Sequence, residues 1–190
     1  MGAQLMQVRD IGLGVREIMP QRFGDARGFF AETWQRDRFR AHGIGEDWVQ
    51  DNQSLSAEDH VLRGLHFQRA PMAQAKLVRV LRGAVFDVAA DIRPGSASFG
   101  RWVSCVLSAD AFNQLYVPAG FAHGFLTLTP GTEVLYKVSA PYAPDCEGAI
   151  AWDDPALAIA WPLKDGAKPL LSVKDAAAPT LQAVASDLVF

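Results

Sequence analysis

Two histidines carry most of the chemistry that this chain could do. His66 lies in Val61-Leu62-Arg63-Gly64-Leu65-His66-Phe67-Gln68, a lone imidazole among apolar and cationic residues, and Lys76 follows at the start of a strand-like run. His123 returns later in a second apolar frame, Pro118-Ala119-Gly120-Phe121-Ala122-His123-Gly124-Phe125. Imidazoles in such settings either hold a metal or move a proton. An imidazole in water titrates near ~6.5, which suits proton exchange around neutrality.

The metal alternative has a sequence test. Pro118-x-Gly120-x-x-His123 resembles the second cupin motif, whose histidine is often a ligand. The first cupin motif supplies a His-x-His pair followed by Glu, whereas His66 is followed by Phe67 and Gln68. Only four histidines are present, and His42 and His60 lie in polar, loop-like sequence. The expected ligand constellation is absent, so the metal reading loses. Taken one at a time, the other candidates have ordinary uses. A strand histidine is more often a hydrogen-bonded structural residue than a catalyst. Tyr136 fits a core aromatic, Asp87 and Lys76 an ion pair at a barrel edge, and Arg27, Arg63 and Lys174 solvated charges.

The elements that must position these residues read as strands. From about residue 61 to 140, short apolar runs alternate with turn signals. Lys76–Arg82 is closed by Gly83, and Ala84–Asp91 by Arg93-Pro94-Gly95. Arg101–Leu107 is followed by a Ser108-Ala109-Asp110 turn, and Gln114–Val117 ends at Pro118. Phe125–Thr129 ends at Pro130-Gly131, and Glu133–Ser139 at Pro141. This spacing favours an antiparallel sandwich or jelly-roll barrel over βαβ units. Residues two apart in a strand share a face. Val85, Asp87, Ala89 and Asp91 therefore lie opposite Phe86, Val88 and Ala90, Lys76 shares its face with Val78 and Val80, and Tyr136 with Val134 and Val138. Leu62, Gly64 and His66 group together with Arg63 opposite, unless Gly64 introduces a bulge. A short helix is expected over residues 35–42, ended by Gly43, and a partly helical Ala-rich tail from Asp175 despite Pro179.

Bulk properties agree with an ordinary folded protein. The 190 residues suffice for one well-filled core, with 49% hydrophobic and 21% charged residues. A net charge of −3 argues against a dedicated nucleic-acid binder. Two cysteines are too few for a disulfide scaffold, and Cys105, inside Trp102-Val103-Ser104-Cys105-Val106-Leu107, is expected to be a buried thiol. With no signal-peptide pattern and no membrane-spanning run, the expectation is a soluble, cytoplasmic protein. No repeat or linker divides the chain, so residues 1–190 are read as one domain.

Several blocks in order make the reading more specific. They include Phe23-Gly24-Asp25-Ala26-Arg27-Gly28-Phe29-Phe30-Ala31-Glu32, Val49–Ser54, Leu62–Gln68, Lys76–Val80 and Gly83–Val88. Pro118–Phe125, Leu135-Tyr136-Lys137, Glu147-Gly148, Trp152–Pro155, Trp161-Pro162 and Ser172–Asp175 follow. Across about residues 15–179 the chain resembles the dTDP-4-dehydrorhamnose 3,5-epimerases, which are cupin-fold enzymes. The resemblance implies an all-β, cupin-type jelly-roll barrel with a few short peripheral helices. It also implies epimerisation at the two carbons flanking the ketone of dTDP-4-keto-6-deoxy-D-glucose, without metal or other cofactor. By the same resemblance His66 is the base, Asp175 its acidic partner, Lys76 the charge at the enolate oxygen and Tyr136 the proton donor. A phenol, with an ordinary pKa of ~10, stays protonated until it is needed.

Arg27, Glu32, Gln50, Asp51, Asn52, Arg63, His123, Glu147 and Lys174 match substrate-binding positions. Arg63 and Lys174 suit diphosphate oxygens. In relatives the residues matching Arg27 and Glu32 reach the site from a neighbouring subunit, which implies a homodimer with exchange of the N-terminal segment, residues 1–35. Ala75 and Pro141 depart from the family pattern, where glycine and tyrosine are common, and Tyr142 is retained. The rival readings are a C3-only or C5-only epimerase, a metal-dependent cupin oxygenase or isomerase, and a nucleotide-sugar-binding cupin without catalysis.

Overall fold

Glycine and proline punctuate a chain rich in Val, Leu and Phe, and the strands fall between them. The computed structural model describes residues 6–163 and 167–190, so the first five residues of the expected exchange segment lie outside the described residues. The strands are β1 (Met6–Gly12), β2 (Val15–Pro20), β3 (Arg22–Asp25), β4 (Gly28–Ala31), β5 (Gln50–Ser56), β6 (Leu62–Gln68) and β7 (Lys76–Arg82). They continue with β8 (Ala84–Asp91), β9 (Trp102–Ser108), β10 (Gln114–Val117), β11 (Phe121–Thr127), β12 (Thr132–Val138) and β13 (Glu147–Ala149). Helix α1 (Arg36–Ala41) follows β4, and α2 (Val173–Ala176) and α3 (Leu181–Val184) lie in the tail. Among the described residues no helix is long and apolar enough to cross a membrane.

Two antiparallel sheets face each other in a cupin-type jelly roll. One has the order β1-β2-β10-β7-β12-β5, the other β13-β6-β11-β8-β9, and β3-β4 forms a separate hairpin. Non-consecutive neighbours such as β7 and β12 (Leu77 opposite Lys137, Val78 opposite Tyr136) mark the crossovers. Between the sheets, Val78, Val80, Leu115, Val117 and Val134 pack on Val85, Ala89, Leu107, Phe121 and Phe125. Each buried Val, Leu or Phe among them contributes roughly 1.5–3 kcal/mol, which makes this contact the principal clamp between the sheets.

The outer faces are covered locally. Gln35 caps α1 by accepting the Arg38 N–H at 2.7 Å, and Phe39 anchors the helix against Ile18, Ile44 and Leu77. Behind the five-stranded sheet, Leu65, Phe67, Val88 and Ala90 pack on Ile150, Leu157, Leu181 and Leu188 from the tail. Buried Asp154 ties that tail down, accepting from the N–H groups of Ala156 (2.8 Å), Leu157 (3.0 Å) and Leu181 (2.7 Å).

The differences from the sequence reading have local causes. Strand β11 starts at Phe121, not Phe125, because Gly124 is a point of close approach and not a break. A Cβ there would stand 2.8 Å from the Arg63 carbonyl. Gly64 faces it with φ +123°, and a Cβ on it would lie 2.6 Å from Gly124 Cα. The pairing slips here: His123 opposes His66 and Phe125 opposes Arg63. The expected grouping of Leu62, Gly64 and His66 with Arg63 opposite therefore does not hold: the exception allowed for at Gly64 is what occurs, and the extra residue puts Arg63 and His66, three residues apart, on one face. Cys105 is half-buried, not fully buried. Its thiol is pushed up to about 12 by burial and by the nearby Glu17 carboxylate.

Candidate active site

Where the inner faces change from Val and Leu to His, Lys, Gln, Asn and Tyr, the sandwich opens into two adjoining clefts of about 240 and 230 Å3 that share His66, Lys76 and Tyr136. Strand register explains the convergence. Tyr136 of β12 opposes Asn52 of β5 and Val78 of β7, and Val138 opposes Gln50 and Lys76. Directly opposed residues share a face, so Gln50, Asn52, Lys76 and Tyr136 all point inward. From the other sheet, the paired His66 and His123 face them.

His66 Nε2 stands 2.6 Å from Asp175 Oδ1. The imidazole is 32% exposed and the carboxylate 5% exposed, so one partner opens to the cleft while the other is enclosed. Asp175 belongs to α2, where Ser172 is the N-cap. Ser172 Oγ accepts the Asp175 N–H at 3.0 Å and donates to Asp175 Oδ2 at 2.9 Å. Burial pushes the Asp175 carboxyl up. Hydrogen bonds from His66 and Ser172 and the charges of His66 and Lys174 outweigh it and hold the group below the usual carboxylate range. As an ionised acceptor, Asp175 takes the Nε2–H and leaves the Nδ1 lone pair as the basic position.

Lys76 is 8% exposed, and its Nζ donates to the His66 carbonyl at 3.3 Å. Burial lowers its ammonium to about 8, against the opposing pull of Asp87 and Glu147. Burial also raises the Tyr136 phenol, with Glu147 adding to the rise and Arg63 working against it, so the hydroxyl stays protonated at neutral pH. Arg63 is held at the cleft wall by donating to Ser56 Oγ at 3.2 Å and the Leu55 carbonyl at 3.1 Å.

A polar belt rims the opening. Gln50 Nε2 donates to Asn52 Oδ1 at 2.8 Å, and Gln50 Oε1 accepts from the Tyr142 N–H at 3.0 Å. Tyr142 Oη donates to Glu147 Oε2 at 2.8 Å, and Lys174 Nζ meets the same oxygen at 2.5 Å. Burial raises the Glu147 carboxyl, but Lys174, Tyr142 and the charge of His66 lower it further.

Thus His66, Lys76, Tyr136, Asp175, Gln50, Asn52, Arg63, His123, Glu147 and Lys174 line one connected space. The other three candidates stand apart from it within this chain. Asp51 points to the opposite face of β5 and pairs with Lys137 at 2.9 Å. Arg27 sits on the β3-β4 hairpin, 90% exposed and paired with Asp25, and Glu32 pairs with Arg38 at 2.6 Å.

Sequence reasoning missed two supports. Gln68 donates to the carbonyls of Met72 (2.6 Å) and Pro141 (3.1 Å) and accepts from Ala143 N–H (2.9 Å), which shapes the loop carrying Tyr142. Its only signal was its place at the end of β6. Ser172 was legible as a Ser-x-x-Asp capping box ahead of Asp175. No three His, Cys, Asp or Glu side chains among the described residues are grouped as metal ligands.

The chain has close counterparts among characterised proteins. A family model described as dTDP-4-dehydrorhamnose 3,5-epimerase matches residues 13–183. The dTDP-4-dehydrorhamnose 3,5-epimerase of Salmonella typhimurium is 52% identical over 165 residues, covering 86% of this chain and 88% of that protein. The structure of a dTDP-6-deoxy-D-glucose-3,5-epimerase from Legionella pneumophila, in complex with dTDP-4-keto-L-rhamnose, superposes with a TM-score of 0.91 at 44% identity, covering 97% of each chain. A 3'-monoepimerase from Streptomyces bikiniensis, in complex with dTDP-quinovose, gives 0.82 at 38% identity over 90% of this chain and 85% of that one.

Proposed function

This chain belongs to the dTDP-4-dehydrorhamnose 3,5-epimerase family, and on that premise we propose how its cleft inverts the two carbons beside the ketone of dTDP-4-keto-6-deoxy-D-glucose. The product is dTDP-4-keto-L-rhamnose, and the enzyme is an isomerase of dTDP-L-rhamnose biosynthesis. The observation that carries the residue assignment is the His66–Asp175 pair at 2.6 Å beside Lys76 and Tyr136.

A proton on a carbon next to a ketone becomes removable when a base is placed beside it and the oxygen charge that develops is met by a cation. His66 takes that proton on Nδ1, and the C–H electron pair moves into the C–C bond to make the enolate. Asp175 stabilises the imidazolium through Nε2. Lys76 steadies the enolate oxygen. Tyr136 then delivers a proton to the opposite face, the enolate collapses to the ketone, and configuration is inverted. Solvent reprotonates the phenolate and deprotonates His66 before the second carbon reacts.

Arg63 and Lys174 suit the diphosphate as charged donors, and Gln50, Asn52, Glu147 and His123 the sugar and nucleotide hydroxyls and amides. Lys174 would exchange its Glu147 contact for a phosphate oxygen. The exposed hairpin supports a homodimer. Phe29 and Phe30 are 58% and 71% exposed, and Arg27 and Glu32 have no role in their own cleft, so a second copy would receive them. Asp51 joins the substrate only through such an assembly or through Lys137. Both cysteines are free thiols, as suits a cytoplasmic enzyme.

The competing reading is a C3-only epimerase, favoured by the kinship with the Streptomyces bikiniensis monoepimerase. Paired His66→Ala and Tyr136→Phe variants test the assignment. His66→Ala should lose solvent exchange and turnover by on the order of 10²–10⁴. Tyr136→Phe should keep exchange, with the proton returned to its original face, while product formation falls. Wild-type turnover by either variant would remove that residue from its role.

A further inference from the structure

His123 and Asp87 form a second imidazole–carboxylate pair that the proton transfer above does not use. His123 Nε2 stands 2.8 Å from Asp87 Oδ1, and the side chains are 7% and 0% exposed. Asp87 sits on β8 opposite Phe125 and Cys105. Its second oxygen, Oδ2, is buried and has no hydrogen-bond partner among the described residues. A buried carboxylate oxygen without a donor is costly unless positive charge nearby offsets it. Lys76 is the buried cation on which the Asp87 charge acts, through space and not as an ion pair within 4 Å. It is 8% exposed and lines the same cleft as His123. Its ammonium has three donors, of which one is used among the described residues, on the His66 carbonyl.

We propose that Asp87, oriented by His123, is a positioning residue for the epimerisation: it is the fixed counter-charge that keeps Lys76 an ammonium at the wall of the cleft. The inference rests on the reading of Lys76 as the group that steadies the enolate. Burial lowers the Lys76 ammonium, and of the two carboxylates that oppose this, Asp87 acts more strongly than Glu147. A neutral amine would leave the enolate oxygen without its cation. His123, by donating Nε2–H, holds the carboxylate in one orientation and prevents it from turning toward the substrate as a competing base.

The groups facing Lys76 come from every neighbouring element. His123 lies on β11, His66 and Arg63 on β6, Tyr136 on β12 and Glu147 on β13, with Lys174 and Asp175 on α2, and Asp87 on β8 stands behind His123. Asp175 is already committed to His66. Glu147 is shared with Lys174 and Tyr142. Asp87 is the carboxylate of this group whose unpartnered oxygen is buried.

The test is the pH profile of kcat/KM, which reports ionisations of the free enzyme, for wild type, Asp87→Asn and Lys76→Met. The wild-type alkaline limb should fall near pH 8. Asp87→Asn keeps the side-chain shape and should move that limb to lower pH by about one unit or more, a loss of roughly tenfold or more at pH 8, with the acid limb in place. A uniform loss at every pH, with the limb unmoved, is the signature of a merely structural role and overturns the inference. Should Asp87→Asn fail to fold by circular dichroism, Asp87→Ser decides, since it also removes the charge and should shift the limb the same way. An unmoved limb there overturns the inference equally. Lys76→Met separates the two levels. If it keeps wild-type turnover, the reading of Lys76 fails and the inference with it. If it is inactive while the limb in the Asp87 variant stays put, the inference alone fails.

Discussion

The division of labour at the residue scale follows from burial. His66 is one-third exposed and can meet a substrate, whereas Asp175 is enclosed and can only serve the imidazole. Ser172 occupies both ends of this support, accepting the Asp175 N–H and donating to its Oδ2. Ser172→Ala should cost about 1 kcal/mol of stability through the lost cap. It should lower kcat on the order of tenfold to a hundredfold by loosening the carboxylate, with KM nearly unchanged; steady-state kinetics beside a denaturant melt checks both. His66, Lys76, Asp87 and Tyr136 stand out in the sequence as polar groups on largely apolar strand faces, while the roles proposed for His66, Lys76 and Tyr136 came from the family resemblance. The pairing of His123 with Asp87 was not legible, since 36 residues separate them and only the β8-β11 register brings them together. Asp51 faces away from Gln50 and Asn52 because one step along a strand reverses the face, a local alternation that the sequence already contains.

At the scale of elements, the β6-β11 contact decides which side chains face the cleft. Glycines at positions 64 and 124 let the two backbones approach, and the extra residue in β6 turns Arg63 inward beside His66. Gly64→Ala should destabilise the protein by about 2–4 kcal/mol, since the new Cβ meets backbone atoms at 2.6 and 2.7 Å at a positive φ. A shift of the urea midpoint measures it, and an unchanged midpoint would contradict the close-approach account.

The loop after β8 is held by buried Asp91, which accepts from Arg93 Nε (2.9 Å), Ser96 Oγ (2.7 Å) and Ser98 Oγ (2.6 Å). Burial pushes this carboxyl up, but the bonds from Arg93, Ser98 and Ser96 prevail and hold it well below its ordinary 3.8. A depressed carboxyl contributes stability that is present above its unfolded value and lost as pH falls through its folded value. Asp91→Asn should therefore cost about 2–4 kcal/mol near neutrality and give a flatter stability curve below about pH 4 than wild type; melting temperatures from pH 2 to 7 check it. The strands from 76 to 117 were legible from turn signals, whereas β3, β4 and β13 are short and take their pairing from the fold, so no periodicity announced them.

The whole molecule is a two-sheet clamp in which apolar packing between the sheets holds the polar clefts open. A hairpin presenting Phe23, Phe29 and Phe30 to solvent fits a surface that a second copy would cover. Light scattering on the purified protein should give the mass of a dimer, and Phe30→Asp should shift it toward monomer with lower kcat/KM if Arg27 and Glu32 serve the partner's cleft. A monomeric, fully active wild type would contradict that assembly. The central claim, that one His66–Tyr136 pair inverts both carbons beside the ketone, is tested most directly by NMR of the sugar after turnover in D2O. The account predicts deuterium at both C3 and C5; deuterium at only one of them, at complete conversion, would contradict it.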